Sequence, residues 1–156
     1  MFLNDIAMVA ADTSRTLYYF EKLIESKLLP NYVLLLLNTD ANLLPGQKTN
    51  DTQGHLLRLL DDAGIRYGIS TNNDINSVEV VTQIENRQES VFIFSGFGGV
   101  LLREKILATR KKFLHVHGGY LPDYKGSTTN YFSLIDENTI GASSIFLTKD
   151  IDCGPV

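Results

Sequence analysis

A second cysteine is missing from this sequence: Cys153 is the only one, so no intrachain disulfide can form and a reducing compartment is expected. Long apolar runs are missing as well. Runs such as Tyr32 to Leu37 and Val91 to Phe94 fall far short of the roughly 20 residues that cross a bilayer, and no membrane span is expected. No basic leader opens the chain, and Asn4 and Asp5 interrupt its first apolar residues, so a secretory signal is not expected and a cytoplasmic location is. Nor does positive charge prevail. A formal net charge of -4 suits poorly a protein whose main task is to hold a polyphosphate backbone. The one basic cluster, Arg103, Lys105, Arg110, Lys111 and Lys112, is expected late in a helix, where cations complement the negative end of the dipole.

What the sequence has is an alternation. With 156 residues, 44% of them apolar and 21% charged, it is expected to form one soluble domain around one core. Short β-rich runs alternate with stretches of helical period, the pattern of a doubly wound, mostly parallel α/β sheet with helices on both faces. Strands are expected at Ile6 to Ala10, Tyr32 to Leu37, Tyr67 to Ser70, Val91 to Phe94, Phe113 to His117 and Ala142 to Leu147. One helix carries the stripe Leu17, Phe20, Leu23 and Ile24. Another carries Leu56, Leu57, Leu59 and Leu60 and ends at Gly64, after a polar loop from Asn38 to Gln53 with a turn at Pro45 and Gly46. Further helices are expected over Asn76 to Arg87, Leu101 to Lys111 and Ser127 to Ile135.

Ligands of such sheets bind beyond the carboxyl ends of the strands, which points to Asp12 to Arg15, Ser95 to Gly99 and His117 to Gly126. The first of these lacks glycine, which disfavours a phosphate cradle; Thr13 and Ser14 are expected to cap a helix there. In Phe-Leu-His-Val-His, the strand alternation puts His115 and His117 on one face, and Gly118 and Gly119 let the backbone turn at once. Asp150 and Asp152 follow near the end. A histidine with a carboxylate suits acid–base work, because the carboxylate fixes the imidazole tautomer and stabilises its protonated form. By type alone, the favoured readings are a strand-end histidine bonded to backbone for His117 and a loop cap for Asp152. Cys153 is read as a small residue filling a tight turn, and His55 as a surface residue.

The ordered set His115, His117, Gly118–Gly119, Leu121–Pro122, Tyr124 with Gly126, and Asp152 with Gly154–Pro155 resembles the folate-dependent formyltransferase family. That family includes glycinamide ribonucleotide transformylase, methionyl-tRNA formyltransferase, formyltetrahydrofolate deformylase and the nucleotide-sugar N-formyltransferases. Ser95 to Leu101 is similar to the family's folate-pocket loop, and Gly141 to Thr148 to the strand leading into its catalytic aspartate. The resemblance covers the second half of the chain. It implies a Rossmann-like formyltransferase domain over residues 1–156 that lacks its final elements.

The activity implied is transfer of a formyl group from 10-formyltetrahydrofolate to an amine, without a metal. His117 would stabilise the oxyanion and move protons, Asp152 would support His117, and His115 would stand where the family has an asparagine that donates to the formyl oxygen. The resemblance assigns the folate to Phe97, Gly98, Gly99, Val100, Leu101, Thr148 and Asp150, and the acceptor to Tyr124, Lys125, Thr128 and Asn130. An amino-sugar nucleotide or another small amine is the expected partner, with neither nucleic acid nor membrane. Three alternatives stay open: hydrolysis of formyltetrahydrofolate, a metal-dependent hydrolase using His115, His117 and Asp152, and a non-catalytic folate or nucleotide-sugar binder.

Overall fold

A computed structural model describes residues 1–37 and 51–156. The elements are β1 (Phe2–Ala11), α1 (Ser14–Glu25), β2 (Leu29–Leu36), α2 (Asp51–Asp62), β3 (Tyr67–Ser70), α3 (Val78–Glu85), β4 (Val91–Ser95), α4 (Glu104–Ala108), β5 (Lys112–His117), α5 (Thr129–Glu137) and β6 (Ser143–Phe146). The expected loop from Asn38, with its turn at Pro45 and Gly46, lies outside the described residues as far as residue 50, where α2 then begins.

The described strands form one sheet in the order β3-β2-β1-β4-β5-β6. All neighbours are parallel except β5 and β6, so the doubly wound, Rossmann-like α/β architecture read from the sequence is the one found. Side chains alternate across each strand, and the alternation divides the core into two layers. Ala7, Val9, Leu34, Leu36, Phe92, Phe94 and Phe113 pack with Val80 and Ile84 of α3 and Ile106 of α4 on one face. Met8, Ala10, Val33 and Leu35 pack with Phe20 of α1 and Leu56 and Leu60 of α2 on the other. Burying both faces explains why the central strands read as continuous apolar runs.

Helix ends follow side-chain chemistry. Thr13 caps α1 as expected, its hydroxyl accepting from the Thr16 amide at 3.3 Å, and Ser77 caps α3 through the Val80 amide at 3.3 Å, one residue inside the expected start at Asn76. The fourth helix departs most from expectation. It spans Glu104–Ala108 rather than Leu101 to Lys111, because Leu102 is drawn into the core and Arg110 adopts a left-handed φ of 62° that ends the helix. Only Lys105 of the basic cluster therefore sits in its last turn. Lys111 instead donates to the carbonyls of Arg87 and Glu89, at 2.6 and 2.9 Å.

That lysine belongs to a polar network at the sheet end opposite the loops singled out above. Glu89 is buried and accepts from Arg87 Nε and Nη2, at 3.0 and 2.8 Å, and from Asn31 Nδ2 at 2.6 Å. The Arg87 guanidinium lies 3.8 Å from the centre of the Tyr32 ring. Burial would raise the Glu89 pKa, but the hydrogen bonds from Arg87 and Asn31 outweigh it and hold the carboxyl at about 2.

Candidate active site

From β1 the chain winds outward through β2 and β3, then returns to build β4, β5 and β6 on the other side. The switch point lies between β1 and β4, where a crevice opens beyond the strand ends. A cavity of about 600 Å³ occupies this place, lined by Arg15 after β1, Phe94 and Phe97 to Leu102 at and after β4, His115 to Gly118 at the end of β5, and Thr148 and Asp150 to Asp152 after β6.

His117 is buried at 5% exposure, and both of its nitrogens are engaged. Nε2 lies 2.7 Å from the Tyr124 carbonyl. A carbonyl only accepts, so Nε2 carries the hydrogen and Nδ1 is the position left to take a proton. Nδ1 faces Asp152 Oδ1 at 3.5 Å, while Asp152 Oδ2 accepts from the Gly126 amide at 2.7 Å. This aspartate is held in a left-handed conformation, φ 50°. Gly119 makes the arrangement possible: a Cβ there would meet Thr129 Oγ1 at 2.8 Å, the Tyr124 carbonyl at 2.9 Å and His117 Nε2 at 3.0 Å.

His115 shares the cavity wall. Its Nδ1 donates to the Phe94 carbonyl at 3.2 Å, so the neutral ring presents a lone pair on Nε2, not a hydrogen. Burial lowers its pKa, partly opposed by the bond to Phe94 and reinforced by the Arg15 and His117 charges. An oxyanion contact of the kind an asparagine amide makes is thus available only from the protonated ring, the form this environment disfavours.

All seven residues assigned to a folate, Phe97, Gly98, Gly99, Val100, Leu101, Thr148 and Asp150, lie on the cavity wall. The residues assigned to an acceptor divide. Thr128 and Asn130 line the cavity, whereas Tyr124 and Lys125 do not. Tyr124 contributes its carbonyl to His117, its hydroxyl bonds Glu137, and Lys125 Nζ lies 3.3 Å from Cys153 Sγ. With its nitrogen turned to the acceptors around it, the Asn130 amide donates to the Gly118 and Gly141 carbonyls, 3.0 Å each. Cys153 is exposed and directly follows the turn at Ile151 and Asp152.

Further contributors come from segments singled out above in which no individual role was assigned to them. Arg15 brings a cation to the wall and donates to the Gly96 carbonyl. Ser143 lies opposite His117 in the β5–β6 register; its hydroxyl donates to the Gly119 carbonyl at 2.8 Å and accepts from the Leu121 amide at 3.0 Å. Thr129 Oγ1 donates to the Gly118 carbonyl. The Leu121–Pro122 bond in this turn is cis. Among the described residues, no three His, Cys, Asp or Glu side chains are placed to hold one metal ion.

A buried histidine facing a half-buried aspartate beside a cavity, at the switch point of a doubly wound sheet, marks a class of α/β proteins with a candidate acid–base site. The particular fold is that of the formyltransferases. Phosphoribosylglycinamide formyltransferase from Anaplasma phagocytophilum superposes with a TM-score of 0.66 at 15% identity, over 96% of this chain and 67% of that one. Glycinamide ribonucleotide transformylase 1 from Symbiobacterium toebii gives 0.65 at 16%, over 96% and 68%. A sugar N-formyltransferase from a Shewanella species gives 0.57 at 14%, over 96% and 53%. In sequence, methionyl-tRNA formyltransferases from Synechococcus elongatus and Lysinibacillus sphaericus are 29% and 28% identical over 79 residues, half of this chain. The match spans about a quarter of their length, 24% and 25%. No family profile matches the chain.

Proposed function

We propose that this protein transfers a formyl group from 10-formyltetrahydrofolate to an amine, and that the acceptor is an amino-sugar nucleotide or another small amine. The observation that carries this reading is the His117–Asp152 pair on the wall of a cavity that also holds every residue assigned to the folate. The cavity fits the donor. Its volume of about 600 Å³ lies within the range of small-molecule sites; Phe97, Val100, Leu101 and Leu147 give it apolar walls for a flat ring, and Asp150 supplies an acceptor for ring N–H groups. Bound there, the donor would supply the formyl carbon and a leaving nitrogen.

His117 Nδ1 takes the proton that the attacking amine loses, with Nε2–H tied to Tyr124, and Asp152 stabilises the resulting imidazolium. The proton then passes to the departing nitrogen. His115, neutral and with its Nδ1 hydrogen committed to Phe94, accepts a hydrogen bond from the incoming amine and helps orient it; this role replaces the oxyanion contact implied by the family asparagine. A methionyl-tRNA acceptor fits poorly with a net charge of -4, since gripping a polyphosphate backbone draws on clustered cations.

The test supplies 10-formyltetrahydrofolate with a panel of amino-sugar nucleotides, follows tetrahydrofolate release, and repeats it without amine. Amine-dependent release is expected, falling by about 10²–10⁴ in His117→Ala and in Asp152→Ala with circular dichroism unchanged. Near-normal turnover in either variant would overturn the assignment, and release without amine would identify hydrolysis instead.

A further inference from the structure

The Gly98 to Leu102 wall of the cavity belongs to no helix or strand; it lies between β4 and α4. It has little stiffness of its own, because two adjacent glycines begin it and Gly99 has a φ of 76°. A side chain outside the cavity grips its far end. Asn76, in the segment between β3 and α3, accepts from the Arg103 amide through Oδ1 at 2.7 Å and donates from Nδ2 to the Leu101 carbonyl at 2.9 Å. A carbonyl and the amide two residues on, flanking Leu102, are the two points by which a parallel strand holds its neighbour. One asparagine does this here without a strand.

Asn76 is itself braced. Its backbone amide and its Nδ2 donate to Asp74 Oδ1 at 2.9 and 3.3 Å, and the Asp74 amide donates to Asn72 Oδ1 at 2.9 Å. The neighbour on one side, Ile75, is buried in the same core layer as Leu102. Both sides of the clamp are therefore anchored in the core. Asn76 does not line the cavity with His117; it faces a separate open cleft on the other side of the same wall.

We propose that Asn76 is a positioning residue for the donor: by fixing Leu101 and Arg103 it holds the Gly98 to Leu102 wall in its binding form and so sets the affinity for the folate without touching it. The inference rests on the formyl-transfer reading above. Without the clamp, Leu101 and Arg103 bond to water, the wall populates other conformations, and the apparent dissociation constant rises as the competent fraction falls.

The experiment compares the full chain with Asn76→Ala and Asn76→Asp. It measures binding of a non-reactive tetrahydrofolate analogue by calorimetry, kcat and KM for donor and acceptor separately, and hydrogen exchange over residues 96–103. In Asn76→Ala the donor KM and the analogue Kd rise about thirtyfold, the loss of roughly two hydrogen bonds of the usual net strength. The acceptor KM and kcat stay within about twofold, and the Arg103 amide exchanges faster. Asn76→Asp keeps an acceptor for that amide and preserves its protection, while repulsion at the Leu101 carbonyl still weakens donor binding. Unchanged donor affinity in Asn76→Ala overturns the inference alone, as does an equal rise in both KM values with a lower Tm, the mark of general loosening. If the wild-type chain binds no folate analogue, the formyl-transfer reading fails and this inference falls with it.

Discussion

His117 keeps one hydrogen on Nε2 because the Tyr124 carbonyl 2.7 Å away can do nothing but accept it. Gly119 is what allows that approach, since a methyl group on its Cα would press on both atoms of this bond. Gly119→Ala is therefore expected to lower turnover by about tenfold or more through misplacement of the imidazole while the protein still folds, checked by comparing its kcat and thermal melt with those of the wild type. Burial, with the Arg15 and His117 charges, depresses the His115 pKa below the ordinary 6.5, so its midpoint in an NMR titration is expected below that value. Arg15→Ala removes a nearby cation and is expected to raise this midpoint; a midpoint unmoved by the substitution would show that Arg15 does not act on His115. A pair of histidines two apart announced a shared strand face in the sequence. Which nitrogen each presents was not legible, because the two carbonyls that decide it come from Phe94 and Tyr124, outside β5.

At the scale of elements, β4 is secured at one end by the network around Glu89. The folded pKa of about 2 lies below the ordinary 4.5. Glu89 thus contributes stability that is fully present above about pH 4.5 and is lost as pH falls through about 2, with an upper bound of about 3 kcal/mol. Glu89→Gln is expected to destabilise the fold by about 3 kcal/mol at pH 7, since it leaves Arg87 without its charge partner. Its thermal midpoint should also fall less steeply than the wild type between pH 5 and 2; parallel slopes would contradict the pKa. Element identity was largely readable from periodicity, as in the runs of β2 and β4. Element ends were not. The fourth helix lost its first residues to a wall held by Asn76 and its last to the turn at Arg110, contacts that no local pattern encodes.

Taken whole, the molecule sets a rigid two-layer core beneath a cavity whose walls are mostly loops, the usual division between scaffold and site. A ligand bound only by the folded chain stabilises it by mass action, about 2.7 kcal/mol at a hundredfold excess over Kd. A tetrahydrofolate analogue is therefore expected to raise the melting temperature of the wild type and also of His117→Ala, in which the chemistry is lost and the cavity kept. A variant that neither binds nor reacts would move His117 from the chemistry to the architecture of the site.

By itself the sequence determined the class of fold, because alternation at the periods of strand and helix records which faces must leave water. It also placed His115, His117 and Asp152 as the residues to watch, since a chain-ordered set of histidines, glycines, Leu-Pro and Asp-x-Gly-Pro survives as a linear pattern. Only the tertiary structure decided that Asp152 faces His117 across 35 residues of chain. It alone turned Tyr124 and Lys125 away from the cavity while Thr128 and Asn130 stayed on its wall. The reason is physical: hydrogen-bond partners and cavity walls depend on distances in space, and those are fixed by packing among β4, β5 and β6 and the loops between them, not by spacing along the chain.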